Sequence, residues 1–182
     1  MVLKEKIVLT EIEIQKLDSS HKQILLNFRS YEQELVDFLI EDALDNQNKK
    51  ISTTYLWFYK PTKELVGFVS VFTDAIILKG ELKEHFRRKD ILFKTLPALK
   101  MGKLCVSDDY LGRGIGTLMI EFVLVLAQKI GKEVGLRFIT VDAKRNADSK
   151  RDSIHFYKKF AFEILKQREK ETTPMYKDLV KE

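Results

Sequence analysis

The amino-acid sequence predicts a single α/β domain, α+β in arrangement, built on a mixed sheet. Apolar and polar residues alternate over Ile7–Ile14, and two more strand-like runs, Ile51–Tyr59 and Leu65–Phe72, flank the turn residues Lys60-Pro-Thr-Lys63 as a hairpin. The strongest helical pattern, Ile115–Ile130, lies between strand-like runs at Leu99–Val106 and Leu136–Val141. That makes a βαβ unit and hence a parallel pair within the sheet. The chain has 182 residues, 45% of them hydrophobic, which suits one core needing neither staples nor a structural metal.

Each element has its own local cause. The alternation at Ile7–Ile14 predicts a half-buried strand, and Asp18–Phe28 is compatible with a short helix. Ser30 and Gln33 have capping-box spacing, and Tyr31, Leu35, Phe38, Leu39 and Ala43 then recur at helical intervals to about Asn46. Lys79–Thr95 is charged, carries the run Arg87-Arg88-Lys89, and is expected to be the one irregular excursion. The 115–130 helix aligns positions 115, 118, 119, 122 and 126, with Gly131 placed for a left-handed stop. Ser149–Phe160 aligns Ile154, Tyr157 and Phe160 as a helix, and Phe162–Leu165 and Met175–Val180 are expected to close the sheet. No repeat or linker divides residues 1–182, so one domain is expected.

Composition excludes several classes. Cys105 is the sole cysteine, which removes an internal disulfide framework and a cysteine-based zinc ribbon. His21, His85 and His155 form no ligand spacing, so no metal site is expected. The start, Met1-Val-Leu-Lys-Glu-Lys, is charged where a signal peptide is apolar. The tracts Leu65–Leu78 and Leu118–Ala127 are broken by Asp74 and Glu121 and are too short for a bilayer. The expectation is a soluble, reduced, cytoplasmic protein with no membrane partner. Lys+Arg 32 against Asp+Glu 27 gives a net charge of +5. That could attract a phosphate-bearing cofactor or RNA, but by itself it is better explained by a mixed, solvated surface with a small surplus of Lys.

Chemistry concentrates in Met101-Gly-Lys-Leu-Cys-Val-Ser-Asp-Asp-Tyr-Leu-Gly-Arg-Gly-Ile-Gly-Thr117, where a strand ends, a polar turn follows and glycines open a long helix. Helix N-termini offer unpaired N–H groups and the positive end of the dipole to phosphate. Gly112, Gly114 and Gly116 allow close approach of the backbone, Arg113 adds charge and Thr117 a hydroxyl. Small residues that merely pack a helix on a sheet give the same pattern. A Walker A loop is excluded because no Lys stands before Thr117. A dinucleotide fold is disfavoured because half the chain and a polar turn precede the glycines.

At these residues the sequence resembles the GNAT superfamily of acyl-CoA-dependent N-acetyltransferases. The family's pyrophosphate signature, Gln/Arg-x-x-Gly-x-Gly/Ala, falls on Leu111-Gly-Arg-Gly-Ile-Gly116, with Leu111 in place of the polar first residue. A second signature falls on Phe156-Tyr157-Lys158-Lys159-Phe160-Ala161-Phe162, with Ala161 in the usual glycine place. Phe28-Arg-Ser with Glu34–Ala43, Leu65-Val-Gly-Phe and Pro97–Val106 resemble the first helix, third strand and fourth strand of a subgroup that includes bacterial acetyltransferase toxins acting on aminoacyl-tRNA.

The resemblance implies a mainly antiparallel sheet with helices on both faces and splayed central strands. Pantetheine would enter between Leu104–Val106 and Ile139–Val141. It implies acetyl-CoA as co-substrate, transfer to a primary amine by direct attack, the Val106 N–H as donor to the thioester oxygen, and Tyr157 as acid to the CoA thiolate. Leu104, Cys105, Val106, Leu111, Gly112, Arg113, Gly114, Ile115, Gly116 and Thr117 would line the coenzyme, and Lys159, with Lys158, would reach its 3′-phosphate. Without the resemblance, packing alone accounts for Tyr157 and for Cys105. Asp74 and Asp142 are candidates for the general base and equally well turn residues. Arg87-Arg88-Lys89 suits RNA phosphates or a solvated loop, and Tyr55-Leu-Trp-Phe-Tyr59 a substrate pocket or the core. The acceptor is a small-molecule or peptide amine, with charged tRNA as the alternative and a homodimer left open. A non-catalytic acyl-CoA-binding module, encouraged by Leu111 and Ala161, is the rival from another class, and a basic RNA-binding protein without a cofactor a distant third.

Overall fold

β-Branched and aromatic runs set the strands: β1 (Ile12–Lys16), β2 (Thr53–Tyr59), β3 (Glu64–Ile77), β4 (Thr95–Val106), β5 (Phe138–Lys144), β6 (Glu163–Ile164) and β7 (Thr172–Asp178). In the computed structural model, which describes residues 5–145, 153–166 and 171–180, they form one sheet in the order β1-β2-β3-β4-β5-β7-β6. The pairs β1–β2, β2–β3, β5–β7 and β6–β7 are antiparallel. The helices are α1 (Lys22–Leu25), α2 (Gln33–Asp37), α3 (Ala43–Asn48), α4 (Gly80–Arg87), α5 (Ile115–Glu133) and α6 (Ser153–Lys158). Among them none is long and apolar enough to cross a membrane.

The chain divides into two compact units, Met1–Phe72 with Met101–Val123, and Thr73–Lys100 with Leu124–Glu182. In the first, alternation along β2 sends Leu56 to one face and Trp57 to the other, and a register shift between Trp57 and Phe58 lets Phe68 join Leu56 while Val66 joins Trp57. Leu56 and Phe68 pack with Leu25, Val36 and Leu39 of α1 to α3 and its flanks. Trp57 and Val66 go to the other face, against Ile115 and Met119 of α5. Gly67 permits that second contact, since a Cβ there would stand 2.3 Å from the Met119 methyl and 2.7 Å from Cys105 O. In the second unit Phe86 of α4 is fully buried, edge-on to Phe138 at 5.7 Å, with the Arg137 guanidinium 5.0 Å from its ring. Arg137 is itself paired with Asp178 at 2.8 Å.

Several expectations are corrected. The first strand starts at Ile12, because Leu9–Glu11 turn into a 3-10 segment in which the Val8 N–H donates to the Glu11 carboxylate at 3.0 Å. The Ser30–Gln33 capping box is absent. Ser30 Oγ accepts from the Glu32 N–H at 3.2 Å, Gln33 donates to Asp37 at 2.7 Å, and Glu32 sits at the N-cap. The helix that follows contains a π turn at Phe38–Asp42 before α3. The charged excursion is not irregular throughout, since it holds α4, whose Leu82 and Phe86 stand one helical turn apart on the core side. Gly131 is not a left-handed stop. It lacks positive φ, and the Val134 N–H still bonds to Ile130 O at 2.9 Å. The expected helix start at Ser149 lies outside the described residues.

Candidate active site

The first half of the candidate site is the mouth of α5. Gly112 and Gly114 adopt φ of +79° and +87°, a region that costs a side-chain-bearing residue about 1–2 kcal/mol. Among the described residues, a Cβ on Gly112 would meet nothing within 4 Å, and one on Gly114 only Ile7 O at 3.9 Å. Close helix–sheet packing therefore does not explain either glycine. The conformation does, and it leaves the main chain open. The first hydrogen bond of the helix runs from the Leu118 N–H to Gly114 O at 3.2 Å, so the N–H groups of Ile115, Gly116 and Thr117 precede the ladder. Buried Ile115 anchors this end, whereas Leu111 and Thr117 are exposed. The product is a run of amides at the positive end of a helix dipole, suited to a phosphate group.

The Arg113 side chain does not extend freely from the loop. Its Nε donates to Glu5 O at 3.2 Å, and its guanidinium lies 5.3 Å from the Tyr59 ring and 5.2 Å from the Tyr110 ring. The Tyr110 hydroxyl in turn donates to the Glu64 carboxylate.

Upstream, the end of β4 supplies a directed donor. The Ser107 N–H bonds to Val66 O of β3 at 2.9 Å. Successive N–H groups of an extended chain point to opposite edges, so the Val106 N–H is directed away from β3. Leu104 and Val106 pack with the Trp57 cluster, whereas Cys105 faces the Phe68 cluster. The Cys105 thiol lies 3.8 Å from Val106 O. Burial pushes it up to about 11, with the charges of Asp108 and Glu32 adding to the shift. Such a thiol is not a nucleophile at neutral pH.

Tyr157 lies on α6, buried at 6% exposure, and burial pushes its phenol well above the ordinary value. The end of α6 fixes it. The Phe162 N–H bonds back to Tyr157 O at 3.3 Å and the Ala161 N–H to Lys158 O at 3.0 Å, while Ala161 has φ +59°. Those are the paired bonds of a Schellman cap, with Ala161 as the left-handed residue. The accompanying apolar contact is the Tyr157–Phe162 ring pair at 5.5 Å, and Phe156 packs at 5.3 Å on the other side. Among the described residues none hydrogen-bonds the Tyr157 hydroxyl.

A family model described as an acetyltransferase (GNAT) domain matches residues 52–164, more than half of the chain. The protein belongs to the GNAT acetyltransferases. Its fold is similar to that of AtaT complexed with acetyl-methionyl-tRNAfMet, with 20% identity over 92% of this chain and 94% of that one, at TM-score 0.74. It is also similar to a tyrosine-to-phenylalanine mutant of KacT, 17% identical over 93% and 95% of the chains at TM-score 0.74. AtaTR bound with AcCoA aligns at 18% identity over 94% and 95% of the chains with TM-score 0.69.

The remaining candidates of this GNAT acetyltransferase sort by their partners. Asp74 accepts from Thr140 Oγ1 at 2.7 Å and from the Ala75 N–H at 2.8 Å, and Asp142 is paired with Lys100 at 2.6 Å. Both carboxylates are therefore already engaged by other side chains. Sequence reasoning missed Asp108, which looked like an ordinary turn residue after β4. Its Oδ1 is buried without a hydrogen-bond partner among the described residues. Lys158 and Lys159 are exposed, and Arg87 pairs with Glu84 at 3.2 Å. Leu56 and Trp57 are fully buried, so the aromatic strand is mainly core. Each unit also holds a cavity of its own, and neither lining includes the glycine loop or Tyr157. One of about 530 Å³ is lined by Lys79, His85, Glu163 and Tyr176, and one of about 400 Å³ by Gln15, His21, Phe58 and Lys63.

Proposed function

We propose that this chain moves the acetyl group of acetyl-CoA onto a primary amine by direct attack. The single observation that carries the reading is the pair of left-handed glycines before α5, Gly112 with open space at its Cβ position and Gly114 with only Ile7 O in contact there. Neither packing nor the turn itself calls for that openness, and a diphosphate uses it. Acetyl-CoA supplies the activated acetyl thioester. The Val106 N–H, directed away from β3, is the donor for the carbonyl oxygen as it gains charge under attack. Tyr157 is protonated at every physiological pH, so its role is that of hydrogen-bond donor and acid to the departing thiolate, never a base. Cys105 takes no covalent part, because its thiol titrates near 11. Among the acids, Asp108 is the best-placed group to take the amine's proton. Its buried, unpartnered oxygen lies two residues beyond Val106, whereas Asp74 and Asp142 are already engaged.

A second reading narrows the acceptor to the α-amine of an aminoacyl-tRNA. The AtaT structure with acetyl-methionyl-tRNAfMet favours it, as do the exposed Arg88 and Lys89 beyond α4. Calorimetry with coenzyme A, followed by thiol release from acetyl-CoA across polyamines, peptides, amino sugars and charged tRNA, tests both. Absence of binding heat on folded protein would remove the enzymatic reading. Binding without thiol release on any amine would leave a coenzyme-binding module.

A further inference from the structure

The glycines open the mouth of α5, but they do not fix which way its amides point. In a trans peptide the C=O and the following N–H point in opposite directions. The peptide joining Arg113 to Gly114 can turn over at little steric cost, because Gly114 tolerates either sign of φ. Something else must choose its orientation. The Ile7 N–H donates to Arg113 O at 2.9 Å, which draws that carbonyl toward the N-terminal segment and sends the Gly114 N–H the other way. The segment is itself anchored, since Ile7 is 4% exposed in the cluster that holds Tyr110, Ile115 and Met119. The Arg113 side chain folds back along the same line, with Nε on Glu5 O at 3.2 Å and its guanidinium against the touching Tyr59 and Tyr110 rings at 5.3 and 5.2 Å.

We propose that residues 5–7 and Arg113 form a clamp that holds the Arg113–Gly114 peptide with its N–H turned toward the coenzyme's diphosphate. Arg113 is then a positioning residue and not a ligand of the phosphate. The proposal rests on the reading that this loop grips the diphosphate, and wild-type calorimetry with coenzyme A checks that reading separately. Two pairs of full-length variants check the clamp. Ile7→Pro deletes the N–H donor, while Ile7→Ala keeps it and gives up a similar apolar burial. Arg113→Lys keeps the charge but loses the Nε donor and the flat face against the two rings, and Arg113→Gln loses the charge as well.

The clamp predicts that Ile7→Pro and Arg113→Lys each weaken coenzyme A binding by about fivefold or more, with Ile7→Ala within about twofold. The KM for acetyl-CoA should rise in Ile7→Pro and Arg113→Lys while kcat stays within about twofold, and the salt dependence of binding should match the wild type. The clamp is overturned if Arg113→Lys binds as the wild type does while Arg113→Gln loses about tenfold with a shallower salt dependence, since Arg113 then touches phosphate directly. Equal affinities for Ile7→Pro and Ile7→Ala overturn it as well. Should Ile7→Pro fail to fold by circular dichroism, the two Arg113 variants decide alone: Lys as weak as Gln supports the clamp, and Lys equal to the wild type refutes it.

Discussion

Ala161→Gly should stabilise the protein although it removes a methyl group. Ala161 holds φ +59° at the left-handed position of the cap that ends α6, and its side chain is exposed. The strain of a Cβ in that region is about 1–2 kcal/mol. Glycine loses about 0.4–1 kcal/mol of this advantage through the extra freedom of the unfolded chain. The exposed methyl gives up almost no burial, and both cap hydrogen bonds are main-chain, so they survive the change. The net expectation is a gain of about 0.5–1 kcal/mol, which for a chain of this size raises Tm by about 1–4 °C. Urea unfolding followed by circular dichroism should show a higher midpoint with an unchanged slope. Gly131→Ala supplies the mirror case. Gly131 lies inside α5 without positive φ, a new Cβ would meet Leu136 at an ordinary 3.6 Å, and here it is alanine that should stabilise, by up to about 1 kcal/mol. A destabilised or unchanged Ala161→Gly would mean that the cap tolerates a side chain without strain, and the argument from φ would fail at that position.

Tyr157→Phe should lower kcat by about a hundredfold or more while coenzyme A affinity stays within about twofold; turnover within about twofold of wild type would return Tyr157 to a packing role. Asp108→Asn removes a carboxylate with an unpartnered buried oxygen, so it should hold or raise Tm while slowing transfer, most steeply with strongly basic amines such as polyamines. Unchanged rates across the amine panel would exclude Asp108 as the base. Stability should fall at alkaline pH. The Cys105 thiol is raised from 9.0 to about 11 in the folded protein, so the folded state holds this proton more tightly and the contribution is fully present below pH 9. It is lost as pH rises through about 11, by about 2–3 kcal/mol from this group. Denaturant titrations of wild type and Cys105→Ala should therefore converge between pH 9 and 11, and parallel curves would show that the thiol is not held in its neutral form.

The architecture was legible wherever a periodic pattern had a single physical meaning. Leu56 and Trp57 face opposite clusters because adjacent residues of a strand point to opposite faces. Val66 and Phe68, two apart, part company only because the β2–β3 register shifts between Trp57 and Phe58, which no alternation shows. α5 was legible from its long apolar stripe. α4 was not, because a helix that buries only Leu82 and Phe86 among charged neighbours shows too few apolar positions to separate from a loop. The π turn at Phe38–Asp42 leaves no compositional mark at all. At the site, residue types announced the glycine loop, but beside its neighbour Tyr110 the partners of Arg113 come from residues 5 and 59, and local sequence carries no trace of such distant contacts.

Glycine itself was an ambiguous sign, and the backbone resolves it. Gly112 and Gly114 have positive φ and no crowding at the Cβ position, Gly67 has ordinary φ and no space, and Gly131 has neither constraint. The same letter thus serves conformation, close packing or nothing local, and only the first use exposes main-chain amides to a ligand. Ala161 completes the logic from the other side, since it occupies a left-handed position without being glycine. The cap of α6 carries strain that the cradle of α5 avoids. A cap closed by main-chain bonds can absorb about a kcal/mol without changing what it holds, because Tyr157 stays pinned against Phe162. A cradle that must admit a diphosphate cannot take a side chain at the points of closest approach. Substitution at Gly112 or Gly114 should therefore cost coenzyme affinity, whereas exchange at Ala161 should move stability and leave affinity alone.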